Sequence, residues 1–168
     1  TMKRTLALLI LGLIGCGMPQ TEKIPPMPDG ILSPAYPKSD ITDPALVDAS
    51  KQINSYVNAR KSAAGDSLFS KTEILAPAKI VLPYGVGVFQ QELRLPVILT
   101  TNKGWRTLKQ EEKELEVKSA FQQMLTILQK MNTPLKPSLT IQTPQGLEIS
   151  WINELNGSSK LVFGDEDS

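Results

Sequence analysis

The stretch Leu139-Thr140-Ile141-Gln142-Thr143-Pro144-Gln145-Gly146-Leu147-Glu148-Ile149-Ser150-Trp151 decides the fold class. Its two flanks alternate apolar with polar residues. A period of two is the signature of strands with one face on a core. Between them, Thr143-Pro144-Gln145-Gly146 has proline at the second position of a turn, where its fixed φ is pre-set for reversal. Downstream, Asn156-Gly157 is a strong hairpin signal, and Lys160-Leu161-Val162-Phe163 returns as a strand. These residues predict a three-stranded antiparallel meander. Residues 164–168 predict an acidic, frayed tail.

Upstream of the meander the period changes. Val117, Phe121, Met124, Leu125, Leu128 and Met131 recur at helical spacing. They predict a long amphipathic helix running to about Met131, capped by a Thr107 to Gln110 box. Asn102-Lys103-Gly104 is a turn signal before Trp105. Glu111, Glu112, Glu114 and Glu116 crowd the first turns, where a helix N-terminus favours negative charge. They read as a solvated face, with Glu114 and Lys118 an i,i+4 pair. A second helix is predicted over residues 44–64, with Asp43 as N-cap, Pro44 at the first helical position and Gly65 as its stop. Asp66 to Thr72 reads as another short turn of helix.

Between the helices, Lys79-Ile80-Val81-Leu82, Val86-Gly87-Val88-Phe89 and Leu95-Pro96-Val97-Ile98-Leu99-Thr100 are short and β-branched, and suggest two or three strands. Pro96 points to an edge strand or a strand start. The order helix, strands, helix, strands predicts an α+β fold, mainly antiparallel sheet with two principal helices packed on one face.

Composition narrows function. The chain of 168 residues is 40% hydrophobic and 21% charged, close to the globular average, with a formal charge of +1. No basic field is present to hold nucleic acid. The absence of histidine removes the commonest general base and metal ligand. A single cysteine forms no intramolecular disulfide or thiolate cluster. No S-x-x-K sequence is present. Pro83-Tyr84-Gly85-Val86-Gly87-Val88 lacks the Lys-Ser/Thr pair of a phosphate loop and reads as a turn or bulge. The expectation is a non-enzymatic protein with no cofactor, no metal and no catalytic residues. Trp105 and Trp151 are the candidate ligand or partner contacts. Trp151 alternates with Ile149 and Leu147 and reads first as core; Trp105 stays open between core and anchor.

The N-terminal residues carry the strongest motif. Lys3 and Arg4 precede the apolar run Leu6 to Ile14, which is interrupted only by Gly12. At nine residues it is far short of the roughly 20 that span a bilayer, and it has the proportions of an export signal. It closes on Leu13-Ile14-Gly15-Cys16, which resembles the lipobox of bacterial lipoproteins. The resemblance covers about the first seventeen residues. It implies a diacylglycerol on the Cys16 sulfur, cleavage before Cys16 by signal peptidase II, and acylation such as palmitate on the new amino group. Each buried CH₂ of the chains then contributes about 0.8 kcal/mol of membrane affinity. Removing residues 1–15 takes Lys3 and Arg4 from the 18 basic residues and leaves 16 against 17 acidic, so the lipid rather than charge is the expected anchor. Gly17, in place of the aspartate that retains lipoproteins in the inner membrane, resembles the outer-membrane pattern.

Residues 16–42 hold six of the 13 prolines, namely Pro19, Pro25, Pro26, Pro28, Pro34 and Pro37. Proline favours extended polyproline II, in which a segment of this length reaches roughly 80 Å. The expected organisation is therefore a lipoprotein signal peptide over 1–15, a lipidated cysteine and proline-rich stalk over 16–42, a small α+β domain over 43–163, and an acidic tail over 164–168. The expected partners are the membrane, through lipid on Cys16, and another envelope or membrane protein. The expected location is periplasm-facing. The expected function is an accessory or assembly subunit. The alternative is a small apolar ligand held in a cavity lined by residues such as Phe121, Met124 and Trp151.

Overall fold

The computed structural model describes residues 40–85, 87–155 and 158–164, with the side chains of 83–85 left aside. Cys16, the lipobox, the proline-rich segment, the Asn156-Gly157 turn and the acidic residues 165–168 lie outside the described residues. The element order is α1 (Pro44–Asn58), β1 (Phe69–Ile74), β2 (Ala78–Gly85), β3 (Val88–Thr101), α2 (Lys103–Arg106), α3 (Gln110–Lys130), β4 (Lys136–Gln142), β5 (Glu148–Leu155) and β6 (Ser158–Phe163). The fold is α+β: one six-stranded, mostly antiparallel sheet in the order β1-β3-β4-β5-β6, with β2 also paired to β3.

The meander forms as its alternation requires. β4 pairs antiparallel with β5, and β5 with β6. Gly146 closes the turn between β4 and β5 at φ 86°, a conformation that favours glycine, and its N–H donates to the Thr143 carbonyl at 2.9 Å. The hydrophobic pattern sets the register. Ile74, Val97, Leu139, Ile152 and Leu161 stand opposite one another across β1, β3, β4, β5 and β6. This row faces the helices. Leu46, Ala49, Ile53 and Val57 of α1 and Val117, Ala120, Phe121, Met124 and Leu128 of α3 pack against it, so both principal helices cover one face. Burying each Leu, Ile or Phe contributes about 1.5–3 kcal/mol, which makes this layer the main source of stability.

Local signals set several boundaries. Asp43 accepts from the Ala45 N–H at 2.9 Å and caps α1, with Pro44 following. The expected stop at Gly65 is corrected: α1 ends at Asn58, and Gly65, at φ 83°, closes a turn onto the Ser62 carbonyl. Val57 is the last residue of α1 buried in the core, and Ala59, Ala63 and Ala64 beyond it are exposed, so no tertiary packing extends the helix. The expected helical turn over Asp66 to Thr72 is also corrected. Phe69–Ile74 is strand β1, recruited by antiparallel pairing with Val97 to Thr101 of β3.

The expected turn at Asn102 is a four-residue helix, α2, with the Asn102 side chain accepting from the Lys103 N–H. The expected cap at Thr107 is corrected as well: its hydroxyl donates back to the Gly104 carbonyl, and the α3 N-terminus is closed by Glu112 accepting from the Lys109 N–H at 2.7 Å.

Pro96 departs furthest from expectation. It lies inside the 14-residue β3, a central strand paired to β1 and β2 on one side and parallel to β4 on the other. Leu75 donates to the Pro96 carbonyl at 3.0 Å, and proline has no N–H to return. The pairing of β1 ends at Ile74↔Val97 and that of β2 begins at Ala78↔Arg94. The missing donor therefore falls at the break between two strands and disrupts neither ladder.

Candidate functional site

Two groups of polar side chains are wholly or partly buried by the fold. The first joins the helices. Arg60, just beyond the end of α1, donates from Nε and Nη2 to the two carboxylate oxygens of Glu116 on α3, at 2.7 and 2.6 Å. The Glu116 side chain is 8% exposed, so the expected solvated face of Glu111 to Glu116 does not include it. The hydrogen bond to Glu116 holds the Arg60 pKa above its ordinary value, with burial opposing it. The guanidinium also sits 5.5 Å from the centroid of the Tyr56 ring. Burial pushes the Tyr56 phenol pKa up; Arg60 acts in the opposite direction and Glu116 in the same one. A paired carboxylate and guanidinium with matched forks form a brace between helices.

Trp105 is part of the same side of the molecule. It is 1% exposed, packs its ring 5.6 Å from that of Phe69, and lies under the Lys113 ammonium at 5.8 Å. The structure thus places Trp105 in the core.

The second group lies on the opposite face of the sheet, and Trp151 belongs to it. A β-bulge separates Trp151 from its expected companions. Ile141 pairs with Ser150 but Gln142 pairs with Glu148, so Ile149 is the extra residue of β5. Ile149 joins the helix-side core with Ile152, whereas Trp151 joins Ile80, Leu82 and Leu155 in a separate cluster. Leu147 is 42% exposed. Strand alternation alone put Trp151 and Ile149 on one side, and the bulge overrides it.

Ile80 and Leu82 lie on β2, which among the described residues pairs only with β3, yet they pack against side chains of β5. The β2–β3 hairpin therefore arches over this face. Beneath it, Thr140 and Trp151 stand opposite one another, with Ser138 on β4, Asn153 on β5 and Arg94 on β3. All five are buried. Asn153 Nδ2 donates to Ser138 Oγ at 3.1 Å. Arg94 Nη2 donates to the Glu92 carboxylate and, at 2.7 Å, to the Glu154 carbonyl. Among the described residues, Arg94 Nε and Nη1, Thr140 Oγ1, Trp151 Nε1 and Asn153 Oδ1 have no hydrogen-bond partner.

Only the tryptophan of this polar group was legible as a candidate. Arg94 stands between Leu93 and Leu95, a position with no signal for burial of a charge.

Phe121 and Met124 are packed within the helix-side core, across the sheet from Trp151. The three residues therefore do not line one cavity. Among the described residues, no group of three acidic or thiol side chains is placed to hold a metal, and no helix is long and apolar enough to cross a membrane. No protein-family model, no curated protein and no solved structure matches this chain.

Proposed function

We propose that this protein is a bacterial lipoprotein, anchored through a diacylglycerol on Cys16, that presents its α+β domain as a non-enzymatic accessory or assembly subunit of an envelope complex. The observation that carries this reading is the sequence Leu13-Ile14-Gly15-Cys16, which places the sole cysteine of the chain directly behind a short apolar run and a basic start. The position of the domain supports it. Among the described residues Ile41 packs against the core and α1 starts at Pro44, and the six prolines of residues 16–42 are what read as a tether ahead of it. A tethered domain meets a partner in the same membrane at high effective concentration, which permits weak individual contacts. The outer membrane is the favoured location, from Gly17.

Two measurements test the reading. Labelled palmitate enters the wild-type protein and is absent from a Cys16→Ser variant; equal labelling of both, or of neither, removes the anchor. Detergent-solubilised lipidated protein, recovered under mild conditions, brings down one membrane partner in fixed stoichiometry. Recovery of the protein alone counts against the accessory role.

A further inference from the structure

The apolar stripe on the helix side of β3 outruns the helices that cover it. Leu99, Val97 and Leu95 are fully buried in the core, whereas Leu93, next on the same strand face, is 53% exposed. The helix layer stops here, since α1 begins at Pro44 and α3 ends at Lys130. The result is a groove of about 350 Å³ lined by Ile41, Leu46, Pro77, Leu93, Pro134 and Leu135 among others. Eleven described residues line it, against roughly 20–30 on each side of a stable protein interface. It suits a short apolar peptide.

The chain itself leads into this groove. Asp40, the first described residue, is part of its lining. Just ahead of Asp40 stands Ile31-Leu32-Ser33-Pro34-Ala35-Tyr36-Pro37, a run without charge, followed by Lys38. Tyr36 is four positions from Asp40, so its Cα lies within about 14 Å of it. In polyproline II, with three residues per turn, Ile31, Pro34 and Pro37 fall on one edge and form an apolar ridge. A segment joined to its site by so short a connection is present at about millimolar effective concentration, which favours it over a separate partner.

A second groove also begins at Asp40 and Ile41, and it fits this segment less well. Its lining includes Ser50, Lys51, Asn54, Thr72 and Glu73, and it follows β1, which among the described residues pairs with β3 alone. A strand added to β1 donates from every second N–H. Pro34 and Pro37 are three positions apart, so either choice of alternate residues places a proline, which has no N–H, at a donor position.

We propose that the groove beside Leu46, Leu93 and Leu135 is the docking site of residues 31–37 of this same chain, with the ridge of Ile31, Pro34 and Pro37 seated on its apolar lining. The docking does not depend on lipid at Cys16. Its consequence for the membrane rests on the tether reading above: residues 16–30 become the free span, and the reach of the domain falls from roughly 80 Å to roughly 45 Å.

The test is photo-cross-linking in the full-length protein with Tyr36 replaced by p-benzoylphenylalanine, and mapping of the products by mass spectrometry. The expected links join position 36, within one chain, to the segments that hold Leu46, Leu93 or Leu135. Leu93→Glu keeps a half-exposed position and stands opposite Lys79 in the hairpin. It is expected to lower the yield of these links about fivefold or more, and to speed tryptic cleavage after Lys38 by a similar factor. The same pattern is expected in a Cys16→Ser background, so failure of the anchor and failure of the docking are read separately. Links between two chains, links to Thr72–Leu75, links to another protein or no links at all overturn the proposal. Unchanged yield and cleavage in a folded Leu93→Glu protein overturn the role of the groove. Should Leu93→Glu not fold, the wild-type map of links decides.

Discussion

Arg60 and Glu116, separated by 56 positions in the chain, meet as a fork on a fork, with donor distances of 2.7 and 2.6 Å. The geometry ties the chain leaving α1 to the second turn of α3. Its energy is asymmetric. Arg60 is 37% exposed, so losing Glu116 leaves a cation that water can solvate. Losing Arg60 strands a buried carboxylate. Glu116→Gln is expected to lower stability by about 1 kcal/mol and Arg60→Ala by about 2–3 kcal/mol, read as shifts of the urea midpoint at constant slope. The reverse order of the two effects would show that Glu116 is solvated in solution.

Tyr56 makes the fold sensitive to alkali. Burial, its main influence, raises the phenol pKa above 10.0. The unfolded chain then releases the proton at lower pH than the folded one. Stability is complete below the unfolded value and falls as pH rises from there through the folded value. Tyr56→Phe is expected to flatten the decline in thermal midpoint above about pH 10. An unchanged alkaline slope in that variant would assign the decline to other groups.

Gly104 lies where α2 crosses the 66–67 backbone. A Cβ there would stand 2.6 Å from the carbonyl oxygens of both Asp66 and Ser67. These are backbone atoms and cannot rotate away. Gly104→Ala is therefore expected to cost about 1–3 kcal/mol, although alanine is the better helix former. A neutral or stabilising result in chemical denaturation would mean that α2 sits further from that loop.

Pro96→Ala tests the break in the sheet. Because the missing N–H falls between β1 and β2, restoring it adds at most one hydrogen bond, to Leu75, and releases some unfolded-chain entropy. The change in stability is expected to stay within about 1 kcal/mol. Leu99→Pro, three residues on within both flanking ladders, is expected to cost about 3 kcal/mol or more. Comparable losses at the two positions in thermal unfolding would contradict the break.

Phe121 is the test of the helix-side core. It is 1% exposed between α1 and the sheet. Phe121→Ala is expected to lose about 3–5 kcal/mol, observed as a collapse of the folded baseline at modest urea. A loss below about 1 kcal/mol would show that the helix layer is loosely packed.

Some of the architecture is written in local chemistry. Asp43-Pro44 starts α1, the stripe from Val117 to Leu128 places α3 on the core, and Thr143-Pro144-Gln145-Gly146 turns β4 into β5. Each depends on neighbours within a few positions, which is why each is visible in the amino-acid order. The candidate site was legible only through Trp151. Its companions Arg94, Thr140 and Asn153 look like ordinary polar positions on half-exposed strands until the β2–β3 hairpin arches across them.

The amino-acid sequence by itself determined the α+β class, the two long helices, the meander and the motif around Cys16, because periodicity, caps and turns act over short separations. Only the tertiary structure decided where α1 stops, that Phe69–Ile74 is a strand, that β3 runs through Pro96 beside a parallel β4, and which polar groups are sealed from water. Those outcomes depend on partners distant in the chain. Strand pairing claims segments whose own preference is weak, and burial of Arg94 or Glu116 follows from what is packed above them rather than from the residues on either side.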